Sequence, residues 1–293
     1  MQLDKTRIAI RERGLLEIYD LSLLVTKAYW GRLLLAIGMA VVPFTILNAL
    51  ILWPLEPDLG LNDTANAFVT LMITLIVLQA PAATIPVTLL LGDVLFHDQP
   101  DWKRMFQGFR KAIPRLFWTV AILRGVLPGM LIIGVATYFD DSFIGMSVLL
   151  FLLCLGVTIL RTVRPYIGEV IVLERNPLRS RNPDVMTIGR RSAALHNPNF
   201  GDMVVRAMAS SISILLFASV LTNVWGMRGY LFGLWDWDRW FLFLWLPLAT
   251  WLVVLFMGVV RFLSYLDLRI RREGWEVELV VRAEANRLRE VAA

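Results

Sequence analysis

The sequence has 293 residues, of which 57% are hydrophobic and 18% are charged, and its formal net charge is +5. This composition, with a mean hydropathy of +0.64, excludes a soluble globular protein of this length. The sequence therefore predicts an all-α, polytopic transmembrane helical bundle, and the positive charge reflects membrane topology rather than a nucleic-acid partner.

Residues 1–32 predict a cytoplasmic amphipathic helix that leads into the membrane. They are charged and lack the apolar core of a cleavable signal peptide. In the stretch RGLLEIYDLSLLVTKAYWGR, Glu17, Asp20 and Lys27 share one flank and apolar side chains line another. Such a helix suits the headgroup layer of a membrane, and it equally suits a connecting helix packed on its neighbours.

Residues 33–263 predict a transmembrane domain with six spans, because six apolar segments approach the roughly 20 residues that a membrane helix needs. The second segment contains Pro81 and Pro86, which predict a kinked or tilted helix. The predicted spans are Leu33–Trp53, Ala67–Leu91, Leu116–Phe139, Phe143–Val163, Met203–Trp225 and Trp240–Val260.

The distribution of basic residues predicts the orientation of the bundle. Twenty-five of the 29 Lys and Arg residues lie in the terminal segments and in two connections on one side of the predicted membrane. The opposite side carries Arg228 and Arg239 and several acidic residues. Because positively charged connections stay in the cytoplasm, we expect both termini to be cytoplasmic.

Two similar stretches predict an internal repeat. Gly92-Asp93-Val94 and Gly168-Glu169-Val170 are each followed by a Pro-containing turn and then by a glycine with a basic pair. This pattern predicts a parallel repeat of two hairpins, each made of a span, a cytoplasmic amphipathic helix and a span. The first of these helices, in DWKRMFQGFRKAIPRLF, combines aromatic and basic residues, and we expect it to contact anionic headgroups.

Motifs for catalysis, cofactors or metals are missing from the sequence. Cys154, His97 and His196 are dispersed and lack the spacing of a zinc site. No phosphate-binding loop, dinucleotide fingerprint or nucleophile elbow is visible. We therefore expect a protein without enzymatic activity, cofactor or bound metal.

Ionised residues inside or at the ends of the predicted spans form the candidate site. All lie toward the predicted cytoplasmic leaflet, where they are expected to meet in one network. The network is either a headgroup or anion site, or a gate, or else a structural set of ion pairs with arginines that extend to the membrane surface. The candidate residues are Asp93, Arg124, Arg161, Arg164, Glu169, Asp267 and Arg269.

Residues 264–293 predict a charged cytoplasmic helix that docks a cytoplasmic or membrane protein partner. Six basic and six acidic residues cancel, which argues against a polybasic membrane clamp and against a nucleic-acid arm. Opposite charges at i,i+4 predict that the last span continues as a helix through Arg272 and bends near Gly274. The four predicted pairs are Asp267–Arg271, Arg269–Glu273, Arg272–Glu276 and Glu278–Arg282.

Three segments carry a family resemblance: LLEIYDLSLLVTKAYWGRLLL, GEVIVLERNP and YLDLRIRREGWEVEL. They resemble a group of uncharacterised bacterial six-span membrane proteins. The group includes the membrane domain beside some glycerophosphoryl diester phosphodiesterases, and proteins encoded beside transglutaminase-like and MoxR-type ATPase genes. The resemblance implies a fold and a location in the bacterial inner membrane but no activity, since the phosphodiesterase chemistry belongs to a separate soluble domain. The matching positions are Glu17, Asp20, Glu169, Glu174, Arg175, Tyr265, Asp267, Arg269, Arg272 and Glu273.

Three classes of function remain open at the level of sequence. The favoured one is a structural or assembly component of a bacterial membrane complex that docks cytoplasmic partners. The second is a transporter or a lipid- or anion-handling protein with a site in the cytoplasmic half of the bundle, to which polar residues such as Gln79 and Thr84 would contribute. The third is a membrane-embedded enzyme, for which no nucleophile or metal ligand set is visible.

Overall fold

The computed structural model of the protein consists of α-helices and short connections. No β-strand occurs among the residues that it describes, which agrees with the predicted all-α class. The described residues are 12–53, 62–95, 102–119, 156, 164–174, 176–182, 185–197, 201–202, 205–206, 212–233 and 239–273.

The first two helices form the predicted entry into the membrane domain. Helix α1 (Leu15–Ala28) buries Ile18, Ser22 and Val25, whose spacing of three and four residues places them on one face. The chain turns at Tyr29 and continues as helix α2 (Trp30–Leu52). The buried face of α1 packs against α2 and against the last helix of the chain, so α1 is a packed connecting helix.

The second apolar segment is a broken helix. Helix α3 (Asn62–Ala83) and helix α4 (Ile85–Val94) meet at Thr84, where ψ is −4° instead of the helical value near −42°. Pro81 and Pro86 flank this break, and each lacks the N–H that would donate to the preceding turn. The interruption lies where the prolines predicted a departure from a straight helix.

Shorter helical segments follow this broken helix along the chain. Helix α5 (Trp102–Leu116) packs on α4. Helix α6 (Ile167–Glu169) runs directly into a π-helical segment, Val170–Glu174, which contacts both α4 and α5. Helix α7 (Ile188–His196) begins at Thr187, whose hydroxyl accepts a hydrogen bond from the backbone N–H of Arg190.

Two long helices complete the described fold. Helix α8 (Ile212–Phe232) ends where Gly233 adopts a positive φ of 67°, a conformation that glycine tolerates best. A π-helical segment, Phe241–Trp245, leads into helix α9 (Leu246–Glu273). Helix α9 lies at the centre of the bundle, because it contacts α1, α2, α3, α4, α7 and α8.

Three described helical stretches are long and apolar enough to cross a membrane: Trp30–Leu52, Leu71–Val94 and Phe241–Glu273. They correspond to the first, second and sixth predicted spans. The third and fourth predicted spans lie almost entirely outside the described residues, and so does the first part of the fifth. The last stretch continues thirteen residues beyond the predicted end at Val260, and its charged end forms the candidate site.

Candidate functional site

Charged residues near the end of α9 form ion pairs with residues from distant parts of the chain. One set, here called the Glu174 cluster, consists of Glu174, Arg191, Tyr265, Arg269 and Glu273. Helix α9 presents its three members from one face, because positions 265, 269 and 273 are separated by four residues each. Glu174 comes from the end of the π-helical segment after α6, and Arg191 comes from α7.

Glu174 accepts hydrogen bonds from three other side chains. The Nε of Arg191 lies 2.5 Å from its Oε2, and the Nη2 of Arg191 lies 3.0 Å from its Oε1, which is a bidentate pair. The hydroxyl of Tyr265 donates to Oε1 at 2.7 Å, and the side-chain amide of Asn176 donates to Oε2 at 3.2 Å. Both oxygens of the Glu174 carboxylate therefore accept hydrogen bonds from side chains of the same chain.

Glu273 completes this cluster by joining two arginines. Arg269, one turn earlier on α9, donates to both of its oxygens, at 3.1 and 2.7 Å. The Nη2 of Arg191 also donates to Oε1 of Glu273. Because two carboxylates face two guanidiniums, the Glu174 cluster is electrically balanced.

Asp267 is the centre of a second set, here called the Asp267 cluster, together with Arg206, Arg271, Asp202 and the backbone of Arg13. The Asp267 side chain is 2% exposed. Its Oδ2 accepts from Arg206 at 2.7 Å and from Arg271 at 3.1 Å, and its Oδ1 accepts from the backbone N–H of Arg13 at 2.8 Å. Arg271 in turn donates to the carbonyl oxygen of Arg13 at 2.6 Å, so the segment before α1 is held against α9.

Asp202 balances the second cluster. It accepts from the Nε of Arg206 at 2.8 Å, and its side chain is 45% exposed. Within the described part of the chain, the Nη1 of Arg206 is buried without a hydrogen-bond partner. Two carboxylates already neutralise Arg206 and Arg271, so the cluster has no excess positive charge with which to attract an anion.

Glu169 forms a third, smaller group with Arg261 and Thr84. Its carboxylate is fully buried, and its Oε1 accepts from the Nε of Arg261 at 2.6 Å. The Nη2 of the same arginine donates to the hydroxyl of Thr84 at 2.7 Å. This guanidinium therefore connects α6, α9 and the break between α3 and α4. The second carboxylate oxygen, Oε2, is buried and has no hydrogen-bond partner among the residues that the structure describes.

Tyr166 and His196 fill the space beside these groups. The His196 ring is buried, and its Nδ1 lies 2.6 Å from the carbonyl oxygen of Ser192. Nδ1 therefore carries the proton, which leaves Nε2 to accept from the backbone N–H of Tyr166 at 3.4 Å. These contacts give His196 a structural role.

The surroundings shift the pKa of two of these side chains. Burial raises the pKa of Tyr166 from 10.0 to about 12, although the nearby Arg206 opposes that shift. Burial alone would lower the pKa of Arg191, but its hydrogen bonds to Glu174 and Glu273 outweigh burial and raise that pKa above the usual value. The pairing of Arg191 therefore stabilises its charged form.

The described part of the predicted site divides into groups rather than one continuous network. Glu169, Asp267 and Arg269 lie in three different groups. Asp93 is half-buried at the end of α4 and Arg164 is exposed before α6, and both make polar or electrostatic interactions. Arg124 and Arg161 lie outside the described residues.

Several important members of the site were missing from the predicted set: Arg191, Arg206, Arg261, Glu174 and Glu273. Glu174 and Glu273 were noted through the family resemblance, and Arg191 belongs to the basic pair of the second repeat stretch. A more general signal was available, since charges at the edge of an apolar segment need partners. The partners of these charges lie far away in the sequence, for example 92 residues apart for Glu169 and Arg261, so the sequence did not show which residues pair.

The chemistry available at these groups is ion pairing rather than ligation of a metal. Among the described residues, no three His, Cys, Asp or Glu side chains lie close enough together to hold a metal ion. The carboxylates that are present receive hydrogen bonds from arginines, and guanidinium groups compete with cations for those oxygens. Glu169 Oε2 is the exception, since it retains capacity to accept a further hydrogen bond.

Comparison with known proteins adds no relative. The chain matches no protein-family model, no curated protein and no solved structure.

Proposed function

We propose that the protein is a non-enzymatic integral membrane protein that serves as a structural or assembly component and docks a cytoplasmic partner through its C-terminal segment. The observation that carries this proposal is the charge balance at the end of α9. The carboxylates of the Glu174 and Asp267 clusters are bound by arginines of the same chain. Such an arrangement fixes the end of α9, and within the described residues the guanidiniums of these two clusters are already paired with carboxylates.

We place this charged end on the cytoplasmic side of a bacterial inner membrane, with six spans. Its residues come from the terminal segments and the connections in which Lys and Arg are concentrated. Arg13, Arg206 and Asp267 meet in one cluster, and Arg115 donates to the carbonyl oxygen of Asn176 at 3.1 Å. All four basic segments therefore meet at one end of the bundle, which supports a single orientation for them.

The parallel repeat of two hairpins belongs to the same proposal. Both Gly-acid-Val stretches occur in helical segments that contact each other, since Gly92 lies against Leu173. Each stretch is followed by a helix with the basic pair, α5 in the first copy and α7 in the second. The resemblance to bacterial six-span membrane proteins supports the same architecture.

Removal of the C-terminal segment tests the docking function. The cut is made after Glu273, because Arg191 and Arg269 both bind that residue. We expect the shortened protein to accumulate in the membrane, while a protein that copurifies with the full chain in mild detergent is lost. A full-length Glu273→Gln variant, which keeps the segment, serves as the control. Failure of the shortened protein to accumulate, or copurification of the same partner, would refute docking by this segment.

A second function, transport or binding of a small solute in the cytoplasmic half of the bundle, is favoured by Glu169. Among the described residues its Oε2 is buried without a hydrogen-bond partner, beside a broken helix, and broken helices line binding sites in many transporters. The solute would donate a hydrogen bond to this oxygen. Screening solutes for an increase in melting temperature tests this function. A solute that stabilises the unaltered protein but not Glu169→Gln would support it.

A further inference from the structure

An apolar groove adjoins the broken helix and is lined by residues outside the charge clusters. Its volume is about 740 Å³, and its walls come from α2, from the break between α3 and α4, and from α5. The walls include Met39, Pro43, Pro86, Phe106 and Phe109, and Lys103 is a charged residue at its edge. The volume is in the range of sites that enclose a lipid-sized or drug-sized ligand.

The groove is placed within reach of lipid. Two of its walls belong to stretches that are long and apolar enough to cross a membrane, Trp30–Leu52 and Leu71–Val94. Met39 is 55% exposed and Phe106 is 63% exposed, so the mouth of the groove is open between α2 and α5 in the described structure. In a bilayer, acyl chains are the solvent around such a mouth.

Helix α5 adds a charge preference to this apolar groove. Its sequence contains five basic residues and no acidic one. Lys103, Arg110 and Lys111 are exposed. Basic residues near an anionic leaflet are attracted to it electrostatically. The same helix therefore offers an apolar wall to a hydrocarbon chain and positive charge to the headgroup above it.

We propose that this groove binds one acyl chain of an anionic phospholipid, with the headgroup beside Lys103. The Pro-flanked break contributes Ile85 and Pro86 to the wall, so the irregular helix shapes the site. This inference goes beyond the docking function and is independent of it, because the groove and the clusters at the end of α9 use different residues.

Photolabelling in vesicles tests the proposal. The probe is phosphatidylglycerol with a diazirine on its acyl chain, present as a minor component in phosphatidylcholine. We expect labelled peptides from α5 and from the part of α2 around Met39. Lys103→Glu should reduce this labelling at least about fivefold relative to a phosphatidylcholine probe, the equivalent of one lost charge contact. Lys27→Glu, an exposed change on α1, should leave it unchanged.

Filling the groove provides the second arm of the experiment. Met39→Trp should reduce labelling by both probes, whereas Leu50→Trp, on an exposed part of α2 outside the groove, should not. If Met39→Trp fails to accumulate, Phe106→Asp at the mouth replaces it, with the same expected loss. Absence of labelling in the unaltered protein, as when another segment of the chain fills the groove, would overturn the proposal. Equal labelling in all variants would also overturn it.

Discussion

Gly258 on α9 lies where two helices approach closely. A Cβ atom at this position would lie 2.9 Å from Cγ2 and 3.3 Å from Cβ of Thr84. Thr84 cannot rotate away without losing its hydrogen bond from Arg261. Gly258→Ala should therefore lower the free energy of unfolding by about 1–2 kcal/mol, because overpacking outweighs the usual gain from replacing a helical glycine. Thermal or denaturant unfolding in detergent measures the loss.

Gly38→Ala on α2 is the matched control for this change. A Cβ atom at Gly38 has no neighbour within 4 Å, so this variant should be neutral or slightly more stable. Equal effects of the two substitutions would contradict the close approach of α9 to the helix break.

Tyr166 should make the protein sensitive to alkaline pH. Its pKa in the folded protein is about 12, above the ordinary value of 10.0, because burial disfavours the phenolate. The neutral ring therefore contributes stability that is fully present below pH 10 and is lost as the pH rises from 10 through 12. The loss reaches at most about 3 kcal/mol, since each pKa unit corresponds to roughly 1.4 kcal/mol.

Tyr166→Phe isolates this effect from other alkaline titrations. The variant keeps the buried ring but has no ionisable hydroxyl, so its melting temperature should fall less steeply with pH in the same interval. Parallel curves for the two proteins would show that Tyr166 ionises no differently in the folded and unfolded states.

Sequence spacing predicts some of the ion pairs and misses others for a physical reason. The pairs Asp267–Arg271 and Arg269–Glu273 were predicted from i,i+4 spacing and are confirmed at 3.1 and 2.7 Å. A helix alone brings such residues together. The pairs Arg206–Asp267 and Arg261–Glu169 depend on how separate helices pack, which spacing does not encode. The predicted pairs Arg272–Glu276 and Glu278–Arg282 extend outside the described residues.

At the scale of the element, α9 extends beyond its predicted membrane span, and its end at Glu273 confirms the prediction, made from i,i+4 charge pairs, that the helix continues through Arg272. The hydropathy of the sequence places the end at Val260, before the first arginine of the segment. In the structure the helix continues to Glu273, and Ser264, Leu268 and Asp267 are buried. Ion pairing lowers the free-energy cost of burying these charges. A hydropathy average takes no account of pairing and therefore ends the span before them.

The end of α9 should depend on Glu273 and not on the residues after it. Glu273→Gln in the full chain removes a charged partner from Arg191 and Arg269, and we expect a loss of about 1–3 kcal/mol in unfolding free energy. Truncation after Glu273 keeps both ion pairs and should leave the melting temperature unchanged. If the truncated protein were less stable than the Glu273→Gln variant, the C-terminal segment would have to pack on the bundle.

At the scale of the whole molecule, the sequence predicts the helical class and the three described helices that are long and apolar enough to cross a membrane, because apolar composition and length suffice for both. The grouping of the charges around α9 was less predictable. It requires the relative positions of α1, α6, α7 and α9, which depend on packing between buried faces.

The proposed six-span arrangement predicts which parts of the chain are reachable from outside the cell. Tags at residues 1 and 293 should be protected from protease added to spheroplasts, because both termini are proposed to be cytoplasmic. A protease site inserted in LEPDLGLNDTAN should be cut, since this segment follows the first span. Cleavage of either terminal tag from outside would refute the arrangement.

The central claim is that the charged end of α9 is held by ion pairs within the chain rather than kept open for an anion. A double-mutant cycle between Glu174 and Arg191, followed by unfolding in mixed micelles, tests it most directly. Asp202→Asn, at a pair whose carboxylate is 45% exposed, provides a control with an expected loss below about 1 kcal/mol.

We predict that Glu174→Gln and Arg191→Gln each lower the free energy of unfolding by roughly 2–4 kcal/mol, because each leaves a partly buried charge without its partner. The double variant should lose at least about 1 kcal/mol less than the sum of the two single losses. Full stability of either single variant, or strictly additive losses, would contradict the structural role of this cluster.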